Sequence, residues 1–217
     1  MYCASIEPAH PTHLAHPAHT GSVRQARSSI EVRIARSAAD YRAAYALRYR
    51  VYVEELQFPQ AYADHRRRIV TDPFDTTAKL LIATADDVVI GTVRTNFGKD
   101  CDLGSFADLH RMRELGSAFP TKVSLTTKLI VDPRFRDGRV YLELGHALFR
   151  IGRSHGIAVD FIDCQPKLIP LYRRFGYAQT SEQPFEHPEL GPRMPMRLFT
   201  DRAYLQSVGS ILLRRAE

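Results

Sequence analysis

Alternating and helical patterns of hydrophobic residues divide the first half of the chain into distinct elements. Ile30, Val32 and Ile34 alternate as in a half-buried strand, and Ser37 and Asp40 then have the spacing of a capping box. This signal predicts a helix that extends to about residue 56. Residues 79–84 and 88–97 predict two strands joined by a tight turn, and residues 105–115 predict a short helix.

The second half alternates strands and helices. Residues 122–133 predict a strand that ends at an Asp-Pro pair, followed by a helix that closes near Gly156. The nearly all-apolar residues 157–164 predict a central strand, and residues 166–177 predict a further helix. A last strand at residues 193–199 and an amphipathic helix at residues 201–214 complete the order. In the strand before Asp132, one face is expected to carry Val123, Leu125, Thr127, Leu129 and Val131.

Length favours a single α/β domain with an N-terminal tail. A chain of 217 residues can bury one substantial core but is short for two domains. Residues 1–28 are rich in Pro and carry His10, His13, His16 and His19 at intervals of three. We expect a disordered tail here, with a metal-binding edge of a polyproline-like helix as the alternative. The domain is expected to comprise residues 29–217.

Charge and cysteine content narrow the function classes. The net charge of +6 suits an acidic partner or reflects an Arg-rich genome, since only five of the 30 basic residues are Lys. The arginines are scattered without an aromatic platform, so no nucleic-acid binding is predicted. Three widely separated cysteines indicate a reducing cytoplasm, without a disulfide framework or a metal site. We expect no secretory signal, and no apolar run approaches the roughly 20 residues of a membrane span.

The segment from Leu129 to Phe149 predicts an anion site. It reads as a buried strand, a basic loop and the start of a helix, and the unpaired amides at a helix N-terminus commonly receive a phosphate. Three arginines of the loop could share that charge: Arg134, Arg136 and Arg139.

The motifs "VDPRFR" and "IDCQPKLIPLYRRFGY", in this order of elements, resemble the GNAT superfamily of acyltransferases over about residues 30–199. The resemblance implies a GNAT fold: a central mixed, mostly antiparallel sheet, splayed between its fourth and fifth strands and flanked by helices. It also implies that backbone amides near Leu129 and Ile130 serve the thioester carbonyl and that Tyr172 faces the sulfur. The residues implied to hold the phosphopantetheine are Val131, Arg134, Arg136, Gly138, Arg139 and Gln165.

One departure from that superfamily concerns the phosphate loop. Arg139 and Tyr141 stand where the superfamily usually has small residues that let the backbone approach a diphosphate. Two bulky side chains disfavour a diphosphate and favour a single phosphate held by the arginines.

A second resemblance, to acyl-homoserine-lactone synthases and long-chain N-acyl amino acid synthases, rests on positions upstream. Arg48, Tyr52 and Phe58 match an Arg, an aromatic residue and a Trp of those enzymes. Asp72, Asp75 and Arg94 match their paired aspartates and the Arg of the next hairpin. The substrate pocket implied by the resemblance also includes Thr127 and Lys128. Leu125 stands where the lactone synthases have a Glu, which argues against homoserine-lactone synthesis.

These observations predict an N-acyltransferase. It would move a long acyl chain from an acyl carrier protein to the amine of an amino acid or similar small molecule. No cofactor is expected to be tightly bound, because the acyl-phosphopantetheine of acyl carrier protein, or acyl-CoA, is the co-substrate. The alternative is an N-acetyltransferase of the same fold that depends on acetyl-CoA or acyl-CoA.

The general base is the least defined role. Asp75 and Asp72 are the first candidates, although two aspartates at an Asp-Pro turn are as readily explained by pairing with arginines. Glu54 and His110 are weaker candidates. Cys164 ends an apolar strand without a His or Asp signature, which predicts a buried thiol and not a nucleophile.

Overall fold

The computed structural model describes residues 29–215, so the tail expected at residues 1–28 lies outside the described part of the chain. The strands are β1 (Glu31–Ile34), β2 (Ala63–Asp64), β3 (Ile69–Val70), β4 (Lys79–Ala85), β5 (Val88–Phe97), β6 (Val123–Val131), β7 (Val159–Cys164), β8 (Ala178–Gln179), β9 (Phe185–His187) and β10 (Gly191–Phe199). The α-helices are α1 (Ala38–Tyr49), α2 (Ser105–Leu109), α3 (Arg139–Ser154), α4 (Ile169–Phe175) and α5 (Arg202–Ser207).

The main sheet has the order β1-β4-β5-β6-β7-β10-β8, and β9 pairs with β10. Every neighbouring pair is antiparallel except β6 and β7, which run parallel. Their register runs from Val123 opposite Val159 to Leu125 opposite Phe161. Beyond this third pair the two strands diverge, which leaves a cleft between them. These are the fourth and fifth long strands, so the expected splay is confirmed.

A β-bulge in β6 corrects the predicted face of this strand. Thr92 of β5 lies opposite Ile130, but Arg94 lies opposite Thr127, so β6 holds one extra residue here. Lys128, with φ +53°, takes up the irregularity. The side-chain alternation therefore shifts. Val123 and Leu125 pack in one cluster with Val159 and Phe161, whereas Leu129 and Val131 pack against the α3 side.

The two faces of the sheet are covered by α1 and α3. Ser37 and Asp40 form the predicted capping box of α1, and the helix continues as a π-helical turn over Arg50–Glu55. Leu47 of α1 packs with Leu80 and Ile82. On the opposite face α3 packs closely on β5, since a Cβ at Gly91 would lie 2.6 Å from Cγ1 of Val140.

The C-terminal region differs from its prediction. α5 ends at Ser207, Gly209 adopts φ +64°, and a 3-10 turn follows at Ile211–Arg215. The single helix predicted for residues 201–214 is therefore wrong, because the left-handed glycine breaks it. The short hairpin of β2 and β3 carried no strand signal of useful length. None of the described helices combines the length and hydrophobicity needed to cross a bilayer.

Candidate active site

A cavity of about 710 Å³ opens where β6 and β7 diverge. Residues 126–131 of β6 line one wall and residues 162–164 of β7 line the other. Tyr172 of α4, which was predicted to face the thioester sulfur, and Gln165, which was predicted to contact pantetheine, also line it. Because the sheet is opened here and not closed by a neighbouring strand, an extended ligand can lie between the two strands.

One end of the cavity holds a charged cluster at the bulge. The guanidinium of Arg94 pairs with Asp72, and its Nε donates to the Thr127 hydroxyl at 3.0 Å. The Nζ of Lys128 lies 3.0 Å from the other oxygen of Asp72. Although burial acts to raise the pKa of Asp72, the charges of Lys128 and Arg94 outweigh it and the pKa is lowered. Burial in turn lowers the pKa of Lys128. Asp72 is therefore held as a carboxylate between two cations.

A second ion pair supports this cluster from behind. Nη1 of Arg48 lies 2.9 and 2.8 Å from the two oxygens of Asp75, and the Arg48 side chain is fully buried. Asp75 also accepts from the backbone N–H of Asp72 at 2.9 Å and lies 3.4 Å from Nη1 of Arg94. Among the described residues, Asp72 and Arg94 line the cavity and Arg48 and Asp75 do not. Both oxygens of Asp75 are already engaged, and its assignment as the base stays a prediction.

Local sequence explains why these acids converge. Asp72 is the N-cap of the 3-10 turn Pro73–Thr76, and its side chain accepts from the N–H of Phe74 at 3.0 Å. Asp75 completes the capping box three residues later. Hydrogen bonds within the turn therefore help to fix the positions of both carboxylates.

Two aromatic residues from the first helical segment complete this end. Tyr52, in the π-helical turn, is buried, and Nζ of Lys128 lies 5.5 Å from the centre of its ring. Phe58 follows and packs against the hydrophobic cluster that contains Tyr52, Leu47 and Leu80. Both line the cavity. The weaker base candidates lie elsewhere: Glu54 pairs with Arg68, and neither Glu54 nor His110 lines the cavity.

Tyr172 of α4 lines the cavity between two other tyrosines. Its ring contacts Tyr141 and Tyr177 edge-on, with ring centres 5.8 and 5.7 Å apart. Burial raises the pKa of Tyr172, so the phenol stays protonated and can donate. Cys164 is a free thiol that contacts Sδ of Met196 at 3.6 Å. Burial raises the pKa of Cys164 to about 11, which agrees with the predicted inert thiol.

The predicted phosphate loop is rich in arginine, but each of its arginines has an acidic partner. Arg134 lies 3.0 Å from Asp132, Arg139 lies 2.6 Å from Asp137, and Arg136 donates to Glu55 at 2.8 Å. Nε of Arg136 also donates to the carbonyl of Val131 at 3.0 Å. Of the three arginines, Arg136 lines the cavity together with Val131. Gly138, with φ +94°, forms the turn directly before α3.

The sequence did not predict a buried carboxylate, that of Asp160, with three hydroxyl groups bonded to it. Asp160 of β7 accepts hydrogen bonds from Ser124, Thr126 and Tyr177, and all four residues line the cavity. Burial raises the pKa of Asp160 to about 6, against the hydrogen bonds that act to lower it. The available signal was Asp160, one of two acidic residues inside the nearly all-apolar run of residues 157–164.

Comparison with known proteins identifies the family. The family model described as N-acyl amino acid synthase FeeM matches residues 43–199. The chain belongs to this family of acyltransferases. No curated protein sequence matches it.

Solved structures show the same fold at low sequence identity. FeeM, an N-acyl amino acid synthase from uncultured soil microbes, superposes with a TM-score of 0.67 at 14% identity, covering 87% of this chain and 97% of FeeM. The AHL synthase LasI gives a TM-score of 0.65 at 14% identity, and the match covers 85% of this chain and 97% of LasI. BjaI is a CoA-dependent acyl-homoserine lactone synthase solved with SAM and isopentyl-CoA. It gives a TM-score of 0.56 at 18% identity, and the match covers 78% of this chain and 82% of BjaI. A Lactobacillus plantarum protein described as an N-acetyltransferase also superposes, with a TM-score of 0.57 at 19% identity, and the chain has the GNAT fold.

Proposed function

We propose that this acyltransferase moves a long acyl chain from an acyl carrier protein to the amine of an amino acid or a similar small molecule. The observation that carries the proposal is one continuous cavity that joins a charged cluster to a predominantly apolar channel at the splay of β6 and β7. Transfer to a charged acceptor from an acyl thioester requires both environments beside one reacting centre.

The charge of the cluster supports an amino acid as the acceptor. Three basic side chains, Arg48, Arg94 and Lys128, face two acidic ones, Asp72 and Asp75. The cluster thus has an excess of one positive charge when all five residues are ionised. An acceptor carboxylate would neutralise that excess, and we propose that Asp72, which lines the cavity, contacts the acceptor amine.

The apolar channel supports a long acyl chain. Along α3, the cavity is lined by Tyr141, Leu144, Gly145, Leu148, Phe149 and Gly152. These positions extend over about three helical turns, or about 16 Å. An acetyl group would leave most of this length empty, whereas a long alkyl chain would bury apolar surface throughout it.

The reacting centre would lie between these environments. The backbone amides near Leu129 and Ile130 lie on the part of β6 beyond its last pair with β7. We propose that they receive the thioester carbonyl and that the neutral phenol of Tyr172 donates a hydrogen bond to the departing sulfur. The amine nitrogen forms the new C–N bond as the C–S bond breaks, and the proton that the nitrogen loses balances the proton that the departing thiolate gains.

The donor carrier would approach over the loop before α3. Arg136 lines the cavity and would release Glu55 to bind the phosphate of the pantetheine arm. Arg134 and Arg139 have exposed side chains in the same loop as Arg136, where they would meet an acidic carrier protein. The free thiols Cys101 and Cys164 suit the cytoplasm, where acyl carrier proteins work.

The test measures transfer from matched donors. The full chain is mixed with dodecanoyl-acyl carrier protein, dodecanoyl-CoA or acetyl-CoA and a panel of amino acids, and the released thiol and the acylated product are both quantified. We expect product with the dodecanoyl carrier protein and an amino acid. Turnover with acetyl-CoA but with neither dodecanoyl donor would reject the donor assignment. Turnover only with amines that lack a carboxylate would reject the acceptor assignment.

A further inference from the structure

Acyl transfer to an amine needs a group that takes the proton lost by the nitrogen. Among the described residues, the carboxylates that line the cavity are Asp72, Asp160, Asp163 and Glu189. The two oxygens of Asp72 are engaged by Arg94 and Lys128, and both oxygens of Asp160 accept hydrogen bonds from hydroxyl groups. Glu189 lies on the turn between β9 and β10, past the part of β10 that pairs with β7. Asp163 is the remaining candidate.

Asp163 of β7 has one oxygen held and one oxygen open. Nε of Arg193 donates to Oδ1 of Asp163 at 2.6 Å, and Nη2 of Arg193 donates to the backbone carbonyl of Asp163 at 3.0 Å. The Asp163 side chain is only 6% exposed, and its Oδ2 has no hydrogen-bond partner among the described residues. Arg193 therefore fixes the carboxylate through one oxygen and leaves the other available.

Strand register places Asp163 in the open part of the cleft. The last pair of β6 with β7 is Leu125 opposite Phe161. Two residues further along each of these parallel strands, Thr127 and Asp163 come level, where the strands have begun to diverge. The Thr127 hydroxyl accepts from Arg94 at 3.0 Å. Asp163 thus lies across the cleft from the charged cluster in which the acceptor is proposed to bind.

The alternation of side chains along β7 directs Asp163 to the acceptor side of the sheet. Phe161 packs in one cluster with Leu125, whereas Cys164 packs on the other side with residues of α3 and α4. Since alternate residues of a strand share a face, Asp163 lies on the side of Phe161. Thr127 shares that side with Leu125, because the bulge of β6 lies beyond both.

The charge of Asp163 acts on two other residues that line the cavity. Burial is the main cause of the raised pKa of Tyr172, and the thiol of Cys164 and the charge of Asp163 add to it. Burial lowers the pKa of His187, and the charge of Asp163 is the largest effect that opposes this. Asp163 therefore lies near the phenol that is proposed to face the departing sulfur.

We propose that Asp163 is the general base of the acyl transfer and that its Oδ2 takes the proton of the amine nitrogen. As the nitrogen forms the C–N bond it gains positive charge and becomes acidic, and one proton moves to Oδ2, directly or through one water molecule. The C–S bond then breaks, the thiolate takes one proton from solvent, and Asp163 returns one proton to solvent. Asp163 replaces Asp75 in this role, because Arg48 holds both oxygens of Asp75 behind the cavity.

The first experiment measures steady-state transfer by the full chain carrying Asp163→Asn. An asparagine keeps the shape and an oxygen for Arg193 but accepts no proton at neutral pH. We expect kcat to fall about 100- to 10,000-fold, the range of a general base, with donor KM within about twofold. Asp40→Asn is the matched control, because Asp40 pairs with Arg33 at 2.7 Å and does not line the cavity. A kcat of Asp163→Asn within twofold of the parent would overturn the inference.

Rescue by small anions separates proton transfer from a structural role of the ion pair. Asp163→Ala leaves space beside Arg193, where formate and nitrate, two planar anions, can both pair with the guanidinium. Only formate is a useful base. We expect formate to raise kcat at least about tenfold and nitrate to leave it unchanged. Equal rescue by both anions, or rescue of Asp75→Ala by formate without rescue of Asp163→Ala, would refute the assignment.

The identity of the substrates is tested separately. The inference rests on the proposed function for its substrates, but every amine acceptor requires this proton transfer. If the parent protein uses only acetyl-CoA and Asp163→Ala is rescued by formate, the proposed donor fails and the base assignment stands. If the parent acylates amino acids from the carrier protein and Asp163→Asn is fully active, the proposed function stands and the base assignment fails. A parent that acylates no amine from any donor would refute both.

Discussion

Replacing Arg94 tests the acceptor pocket most directly. The Arg94 side chain contacts Asp72, Asp75 and Thr127 beside the β-bulge of β6. Arg94→Met removes the charge and the donors while it keeps an unbranched side chain of similar reach. Asp72 retains Lys128 at 3.0 Å, and Asp75 retains Arg48 at 2.8 Å. Neither carboxylate is left without a cation.

The expected loss of stability follows from these remaining ion pairs. Breaking a buried ion pair typically costs about 3–5 kcal/mol, and the retained partners place Arg94→Met at the lower end, about 3 kcal/mol. In a domain of this size, that corresponds to a fall in Tm of roughly 6–12 °C. Loss of a charge-assisted contact to an acceptor carboxylate is worth about 1.5–3 kcal/mol, or roughly 10- to 150-fold in acceptor KM.

The assay is steady-state transfer with each substrate varied in turn, together with a thermal melt. Donor KM should stay within about twofold, because Arg94 is proposed to contact the acceptor and not the donor. Arg113→Met is the matched control, since its pair with Asp108 is exposed and should change stability by less than about 0.5 kcal/mol. A folded Arg94→Met protein with an unchanged acceptor KM would show that the acceptor binds elsewhere.

Three further predictions concern the donor, the leaving group and the core. Glu55→Gln should free Arg136 and tighten donor binding, whereas Arg136→Glu should weaken it and reduce its salt dependence; equal donor KM values in both variants would argue against a phosphate contact. Tyr172→Phe should lower kcat by about tenfold to a thousandfold with an unchanged melt, and a change within twofold would remove this hydroxyl from the mechanism. His110 is buried without a hydrogen-bond partner among the described residues, and burial lowers its pKa to about 4. Since the unfolded chain binds its proton near pH 6.5, stability should be constant above that pH and fall by up to about 3 kcal/mol as the pH drops toward 4. Denaturant melts should show a smaller loss for His110→Leu, and an equal loss would assign the acid sensitivity to other groups.

Local patterns were sufficient to predict most of the fold. The capping box at Ser37 and Asp40, the alternation in β4 and β5, and the apolar run of β7 each depend on neighbours in the sequence, and the structure confirms them. The Asp-Pro turn likewise fixes Asp72 and Asp75 through its own backbone. The same reasoning failed where pairing with another strand changed the local geometry. The bulge at Lys128 shifts the faces of β6, because β5 pairs with β6 in two registers.

The sequence by itself determined the α/β architecture, the family resemblance and the residue types of the charged cluster, because each of these depends on short-range spacing. Tertiary structure decided which charges cancel and which groups remain available. Arg136 meets Glu55 across 81 positions of the chain, and Asp160 meets Ser124 from a neighbouring strand. Pairing between distant segments is set by sheet register and helix packing, which no local pattern encodes. Only the folded chain therefore shows that Arg48 and Asp75 lie behind the cavity while Tyr141 and Asp160 line it.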